Sequence, residues 1–409
     1  MRSYFELIRQ RPNFRRLWLA SVVSFTGDWF NTIASVIIVT RYSDSGLAVG
    51  GLFLARTLPQ FILGPLAGVI ADRFDRKRVM VAADLLRAGI VLAFLFVDRP
   101  ERLWWIYLLT TAQFVVSTFF QPASAAILPS LVKQEELVTG NVISSITWSA
   151  MLALGAALGG GFAALFGAQA ALVVDSLSYV ISAFLVPSIQ RTRLQPIHPE
   201  TPSGWNQMRE GFAYVRDNPS AGVLATVKAL GQVGTSDIII VLYAERLFTF
   251  GREGAGSLGL LYAAAGLGAI AGPVAGRYLN EETASGLRRT ILAGFWIMPF
   301  SWLLTAWAPS IWVAMLGLFL NLMGGSANWT FSNVLIQKQV PDRFLGRVFA
   351  LDFALFTLAS AASLWLSGLV VDRWQVTPRE LVFAIGLISF LPVLLWTLYL
   401  RGRMRKGLN

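Results

Sequence analysis

Long apolar runs, separated by short polar segments, recur along the whole chain. A helix needs about 20 residues to cross a hydrocarbon core about 30 Å thick, and the runs reach that length without the alternation typical of barrel strands. The pattern predicts an all-α membrane protein with twelve transmembrane helices. The predicted spans are Leu17–Thr40, Leu47–Ala71, Val79–Val97, Leu103–Leu128, Thr139–Phe166, Ala168–Ile189, Val223–Tyr243, Ser257–Leu279, Thr290–Ala308, Ile311–Ile336, Gly346–Val371 and Leu381–Leu400.

Composition agrees with the pattern. The 409 residues are 55% apolar and only 14% charged, whereas a soluble domain has roughly 25% charged residues. The net charge of +11 first suggests nucleic acid, but most Lys and Arg residues fall in the segments on one side of the predicted spans. This is the positive-inside bias, so we expect cytoplasmic termini and no nucleic-acid partner. The N-terminal run is too long for a signal peptide and is interpreted as the first span.

The chemistry-bearing residue types point away from an enzyme. There is no cysteine, and the single histidine, His198, lies in a polar segment. No metalloprotease, nucleophile-elbow or phosphate-binding loop pattern occurs, which also argues against an ATP-driven pump. We therefore expect no catalytic residue, no cofactor and no metal site.

A polar interval divides the chain into two similar halves. We predict an N-terminal bundle at 1–189, a cytoplasmic connector at 190–220 and a C-terminal bundle at 221–409. Apolar positions from Trp205 to Val215 at helical spacing predict an interfacial helix in this connector. GPLAG at 64–68 returns as GPVAG at 272–276, and VKQEEL at 132–137 corresponds to VPDRFL at 340–345 at the same separation. Duplicated halves are typical of transporters that open a central site alternately to either side.

The segment GVIADRFDRKRVM, residues 68–80, places a dense charge cluster between the second and third spans. It resembles the signature loop of the major facilitator superfamily, with Asp75 where that loop has its second glycine. Four further segments resemble the branch that holds enterobactin exporters and macrolide efflux pumps: NFRRLWLASVVSFTGDWFNTIA, PASAAILPSLVKQEELVTGN, VDSLSYVISA and LIQKQVPDRFLGRVFAL.

The resemblance implies two pseudo-symmetric six-helix bundles in a bacterial cytoplasmic (inner) membrane. It implies a small-molecule substrate and protons as partners, in a lipid bilayer, and one chain supplies a complete cavity, so we expect a monomer to function. Within the loop it implies a gate that biases one state, because a carboxylate at the end of the second span can meet the N-terminus of the eleventh. The alternative is that the charges only set orientation. The gate residues are Gly68, Asp72, Arg73, Arg76, Lys77, Gly346 and Arg347.

On the fifth span, GAALGG at 155–160 resembles an antiporter element, with Ala156 in place of proline. The antiporter-like residues are Gly155, Gly159 and Gly160. A small-residue packing face explains the same run equally well.

Charged residues inside the spans are costly and mark functional candidates. Asp28, Arg56 and Asp237 are the predicted proton-coupling residues, with Asp28 near the midplane and Asp237 its repeat counterpart. A permanent Asp28–Arg56 pair and an ordinary helix-end position for Asp237 are the alternatives. Lys228 is expected to snorkel to the inner surface.

Three further groups of polar or charged residues lie inside the predicted spans. Asp84 and Arg87 are expected to pair locally or to contact the gate loops, and Asp175 is expected to be structural. The tenth span is unusually polar, which suits either cavity lining or interhelical hydrogen bonds. The predicted substrate cavity comprises Gln113, Phe119, Asn321, Asn328, Trp329 and Asn333.

Together these features predict a secondary transporter that exports a bulky amphipathic compound, drug-like or siderophore-like, by proton antiport and alternating access. A lipid or lysolipid flippase of the same fold is the alternative, and a non-transporting receptor a third.

Overall fold

The computed structural model describes residues 2–190, 204–234, 236–278 and 283–405, and the regular elements in these ranges are all helical. Short 3₁₀ helices lie at Phe94–Phe96, Pro100–Arg102, Leu128–Ser130, Gln134–Glu136 and Arg252–Gly254. The α-helices are α1 (Arg2–Gln10), α2 (Pro12–Tyr42), α3 (Gly46–Arg73), α4 (Arg76–Ala93), α5 (Leu103–Ile127), α6 (Leu137–Phe166), α7 (Ala168–Leu185), α8 (Gly204–Asp217), α9 (Pro219–Leu230), α10 (Ser236–Arg246), α11 (Ala255–Tyr278), α12 (Ala284–Ala306), α13 (Ile311–Gln339), α14 (Asp342–Trp374), α15 (Pro378–Ile388) and α16 (Phe390–Arg405).

Ten stretches among the described residues are long and apolar enough to cross a membrane, so the chain is a multi-pass membrane protein. Two predicted spans, Val223–Tyr243 and Thr290–Ala308, are not among these ten. The second of them falls largely in α12, which has 23 residues. The count of twelve spans therefore stays a prediction.

The predicted seventh span is broken rather than continuous. Helix α9 ends at Leu230 and α10 begins at Ser236. Between them Gly234 adopts φ +75°, a conformation that favours glycine, and its N–H donates to the Ser363 hydroxyl at 3.0 Å. A Cβ at Gly234 would stand 2.2 Å from the Ile385 side chain. The break thus follows from a glycine whose geometry hydropathy does not record.

The predicted eleventh span begins earlier than expected. Helix α14 starts at Asp342, directly after Pro341 (φ −58°), whereas the sequence pattern placed its start at Gly346. The charged residues of this first turn lowered the local hydropathy without preventing helix formation. Gly346 and Arg347 consequently lie inside the helix and not at its first position.

The chain divides into two compact units. The first comprises residues 1–44, 55–203 and 250–259, and the second comprises 45–54, 204–249 and 260–409. The predicted connector helix corresponds to α8, in the second unit. The predicted domain boundaries are not tested by this division and stay a prediction.

Each unit has its own apolar core. In the first, Phe14, Met80 and Phe120 pack together, each almost fully buried. In the second, Trp396 packs beside Phe295 and donates its indole N–H to the Arg288 carbonyl at 3.1 Å. Because lipid is as apolar as these side chains, close packing and hydrogen bonds hold such helices together more than water exclusion does.

Candidate functional site

A chain of three polar side chains runs through the first unit. Asp28, midway along α2 and half-buried, accepts a hydrogen bond from the Tyr179 hydroxyl of α7. The same hydroxyl accepts one from the Gln113 amide of α5 at 3.0 Å. Tyr179 and Gln113 are buried, so the partly exposed end of this chain is the Asp28 carboxylate.

Arg87 extends the chain into a charged cluster. Its guanidinium carbon lies 4.2 Å from the centre of the Tyr179 ring and 4.7 Å from that of Phe120. Arg87 also donates to Asp84 one turn earlier on α4, and both side chains are buried. The predicted local Asp84–Arg87 pair is confirmed. It contributes to the polar interior of the unit.

Asp175 lies fully buried against α2. A Cβ added to Gly27 would stand 2.6 Å from Asp175 Oδ1 and 1.9 Å from the Ser178 hydroxyl, so only glycine fits there. Neither carboxylate oxygen of Asp175 has a hydrogen-bond partner among the described residues. The charged groups that act on it are Asp28, Arg87 and Arg56.

Arg56 does not form the anticipated contact with Asp28. Its guanidinium carbon lies 4.8 Å from the Phe114 ring centre. The ion pairs in the described ranges do not include Arg56, and its Nη1 has no hydrogen-bond partner there. Asp28 instead accepts a hydrogen bond from the Tyr179 hydroxyl. Whether these residues couple to protons is untested by this geometry and stays a prediction.

The second unit contains a buried ion pair of its own. Lys228 on α9 donates to Asp352 on α14, and the side chains are 4% and 1% exposed. The Lys228 ammonium lies 4.3 Å from the Trp329 ring centre. The expected snorkelling of Lys228 is therefore wrong: a carboxylate partner and an aromatic face stabilise its charge inside the unit.

Asp237, the predicted counterpart of Asp28, lies at the start of α10. It accepts a hydrogen bond from the Tyr262 hydroxyl at 3.1 Å. A tyrosine–carboxylate contact thus occurs in each unit. A role for Asp237 in proton coupling stays a prediction.

The predicted cavity residues divide by exposure. Gln113, Asn321 and Asn328 are buried, and Asn321 donates to the Ser301 hydroxyl at 3.1 Å. Asn328 fills the space beside Gly294, where a Cβ would stand 2.2 Å from its side-chain oxygen. Interhelical packing accounts for these three amides. Phe119, Trp329 and Asn333 are partly exposed, with Trp329 at 37%, and remain candidates for ligand contact.

The glycine run of α6 is a packing face. A Cβ at Gly155 would stand 2.9 Å from the Trp29 ring, and one at Gly159 would stand 3.2 Å from the Trp29 backbone. One at Gly160 would stand 2.4 Å from Gly259 within the same unit. The packing alternative accounts for all three glycines, and an antiporter role stays a prediction.

The gate residues are described only in part. Gly68, Asp72 and Arg73 lie outside the residues whose side chains the structure describes. Asp75, which replaces the usual glycine, accepts the Arg78 N–H at 3.0 Å and so caps α4. Arg76 donates to the Ala126 carbonyl at 2.7 Å, and Lys77 donates to that of Ile189. The loop therefore joins α4 to the ends of α5 and α7.

In the second unit, the predicted gate residues Gly346 and Arg347 lie in the second turn of α14. Arg347 pairs with Glu210 of α8, Nε to Oε2 at 2.6 Å. Gly346 is exposed, and a Cβ there would meet nothing within 4 Å. Tyr214 stacks on Phe344 with ring centres 4.4 Å apart. These contacts attach the connector helix α8 to the start of α14.

A further ion pair lies near the first-unit loops. Arg11 donates to Glu136, Nε to Oε2 at 3.0 Å, and the Lys133 N–H donates to the same oxygen at 2.8 Å. The Arg11 side chain, followed by the Lys133 N–H, holds the pKa of Glu136 below its ordinary value.

Two residues of these clusters were missed from the sequence. Asp352 stands in an apolar run, and that charge was a usable signal. Tyr179 carries no such signal, because a tyrosine in a span is ordinary until its hydroxyl partner is known.

A family model for transmembrane secretion effectors matches residues 4–403. The chain belongs to this family of major facilitator transporters. The chain is 25% identical over 393 residues to macrolide efflux protein A of Streptococcus pyogenes, covering 92% of this chain and 94% of that protein. It is 26% identical over 407 residues to the MFS-type transporter YfiS of Bacillus subtilis, covering 94% of each chain.

The fold of the chain also resembles those of solved transporters. A mutant of the nucleoside transporter NupG superposes with a TM-score of 0.79, covering 94% of this chain and 99% of that one at 12% identity. This likeness concerns the fold alone. Family and relatives together make the chain a membrane transporter rather than an enzyme, with a small-molecule substrate and a lipid bilayer around it.

Proposed function

We propose that this transporter exports a bulky amphipathic compound from a bacterial cell by proton antiport, through alternating access in the cytoplasmic membrane. The family and the macrolide efflux relative support export. The single observation that carries proton coupling is the environment of Asp28: a partly exposed carboxylate at mid-helix, joined by Tyr179 to a buried polar cluster.

Antiport requires that a proton and the exported compound compete for one group. A carboxylate at membrane depth exchanges a proton with water only if it is reachable, and it holds the proton only if its charged form is costly. Asp28 is half-buried at mid-helix, and its hydrogen bond with Tyr179 joins it to buried polar groups. A ligand that donates to Asp28, or that displaces Tyr179 from it, competes with the proton. Such competition is the requirement for antiport.

The ligand class follows from the partly exposed aromatic residues. Trp329 forms an edge contact with Phe356, ring centres 5.0 Å apart, and is 37% exposed. Phe119 in the first unit is also partly exposed. Aromatic faces with few polar groups favour a large, mostly apolar compound with some polar substituents. We propose that Trp329 and Asn333 of the second unit contact the compound, and Phe119 is the separate candidate in the first unit.

The binding step can be tested without transport. Purified protein in weakly buffered detergent solution is titrated with a macrolide or with tetraphenylphosphonium while an indicator dye reports pH. We expect a ligand that binds to release protons from the wild type, and Asp28→Asn to bind without releasing them. Asp98→Asn, at an exposed position, is the matched control and should behave as the wild type. Equal proton release by Asp28→Asn would overturn the assignment to Asp28.

A further inference from the structure

The first unit contains one negative charge in excess in its interior cluster. The carboxylates of Asp28, Asp84 and Asp175 lie near the guanidinium groups of Arg56 and Arg87. Three carboxylates against two guanidinium groups leave one unit of negative charge without a partner in this described cluster. An unpaired charge is poorly tolerated in a low-dielectric interior, so the cluster is expected to hold a proton.

The contacts indicate which carboxylate takes this proton. Asp84 accepts from Arg87, and Asp28 accepts from Tyr179 and is partly exposed. Asp175 is 0% exposed, and its two oxygens form no hydrogen bond within the described residues, where the one neutral side chain that acts on it is that of Asn31. Its charged form is thus the least stabilised of the three.

We propose that Asp175 stores the coupling proton and that Asp28 relays it between Asp175 and water. The proposal rests on the proposed proton antiport and extends it to a residue that we had expected to be structural. In the transfer, an Asp175 carboxyl oxygen gives up its proton and the Asp28 carboxylate takes it up, so the cluster keeps its proton during this step. Release from Asp28 to water then leaves the cluster with one unpaired negative charge until it takes up a proton again.

The packing of α2 on α7 supports the relay. Gly27 lies directly before Asp28, and a side chain there would occupy the position of Asp175 Oδ1. The absence of a side chain at this one position lets the carboxyl of α7 approach the α2 backbone beside Asp28. The remaining charged or titratable groups that act on Asp175 come from three elements: Arg56 of α3, Arg87 of α4 and Tyr179 of α7 itself.

The protonated acid can be detected directly. Infrared spectroscopy of the full-length protein in lipid vesicles reports the carbonyl stretch of a protonated carboxylic acid, which is absent from a carboxylate. We expect this band in the wild type at neutral pH and its loss in Asp175→Asn. Asp98→Asn, which changes an exposed carboxylate, should keep it. Persistence of the full band in Asp175→Asn would overturn the proposal.

The proposed relay through Asp28 can be measured separately, in proteins that keep Asp175. On transfer into D₂O the band shifts as the acid exchanges its proton, and the rate of this shift reports access to water. We expect slower exchange in Asp28→Asn than in the wild type or in Asp98→Asn. An unchanged rate would exclude Asp28 as the relay. Neither infrared measurement requires a substrate. If the band and its exchange rate behave as expected but the protein transports no protons, the proposed antiport is contradicted and the roles of Asp175 and Asp28 in holding the proton are not.

Discussion

Lys228 and Asp352 form a buried pair whose two charges depend on each other. Removing one partner leaves the other charged in the interior, which costs roughly 3 to 5 kcal/mol, whereas removing both leaves no orphan charge. We expect Lys228→Met to lower the unfolding midpoint strongly, and Lys228→Met combined with Asp352→Asn to recover part of the loss. Thermal unfolding in detergent measures both. A double variant as unstable as the single one would show that packing of the Lys228 stem on Trp329, and not charge, dominates.

Glu136 should make stability sensitive to acid. Its pKa is lowered in the folded state from the ordinary 4.5, so its contribution is present above pH 4.5 and is lost as the pH falls through the lowered value. We expect the unfolding midpoint to fall less on acidification in Glu136→Gln than in the wild type. Glu135→Gln, at an exposed neighbour, is the control and should follow the wild type. Identical dependence of the unfolding midpoint on pH in all three proteins would show that the Arg11–Glu136 contact does not make stability sensitive to acid.

For single residues, the sequence shows which side chains are charged but not which side chains they contact. Asp28 was identifiable because an acid within an apolar run is unusual, yet the partner considered for it was Arg56, and the residue that donates to it is Tyr179. Which side chain meets which depends on the rotation and packing of the helices, which a single hydropathy pattern does not specify. Lys228 was misjudged for the same reason, because its carboxylate partner, Asp352, lies on a helix that is far away in the sequence.

Among the helices, α3 has an N-terminus stabilised by another element. The Asp372 carboxylate of α14 accepts the Gly46 N–H at 2.6 Å, the Leu47 N–H at 3.0 Å and the Ser45 hydroxyl at 2.6 Å, all within the second unit. These bonds satisfy donors that a helix leaves free at its start, and the negative charge suits the positive end of the helix dipole. Asp372 therefore acts as a cap supplied from outside α3.

We expect Asp372→Ala to destabilise the protein by about 0.5 to 2 kcal/mol, the usual cost of a lost cap. The Ser45 hydroxyl still accepts the Ala48 N–H at 3.1 Å, which favours the lower part of that range. Chemical denaturation of the purified protein measures the change, with Asp98→Ala as an exposed control. A loss no larger than that of the control would show that Ser45 alone caps the helix.

Helix positions were more predictable than helix continuity. Most predicted spans correspond to helices because long apolar runs leave the backbone no other way to satisfy its hydrogen bonds in lipid. The break between α9 and α10 was missed, since it depends on the positive φ of Gly234 and on the Ile385 side chain beside it. The start of α14 was missed because polar residues in its first turn lower hydropathy without opposing the helix.

For the whole molecule, the family could be predicted from the sequence and the substrate could not. The charged loop and the repeated segments were local patterns, and the match over residues 4–403 confirms the family that they indicated. A ligand, in contrast, is recognised by side chains brought together from many helices. Their partly exposed members, such as Trp329 and Phe119, are distinguished from packing residues only by burial.

Proton antiport is the central claim, and transport in proteoliposomes tests it most directly. Wild-type and Asp28→Asn proteins are reconstituted with an entrapped pH dye and an imposed pH gradient, and amphipathic compounds including a macrolide are added in turn. We expect that at least one compound drives proton movement in the wild type and that Asp28→Asn abolishes it. Movement of a compound with no proton flux in either protein would contradict antiport and would favour a facilitator or lipid flippase of the same fold.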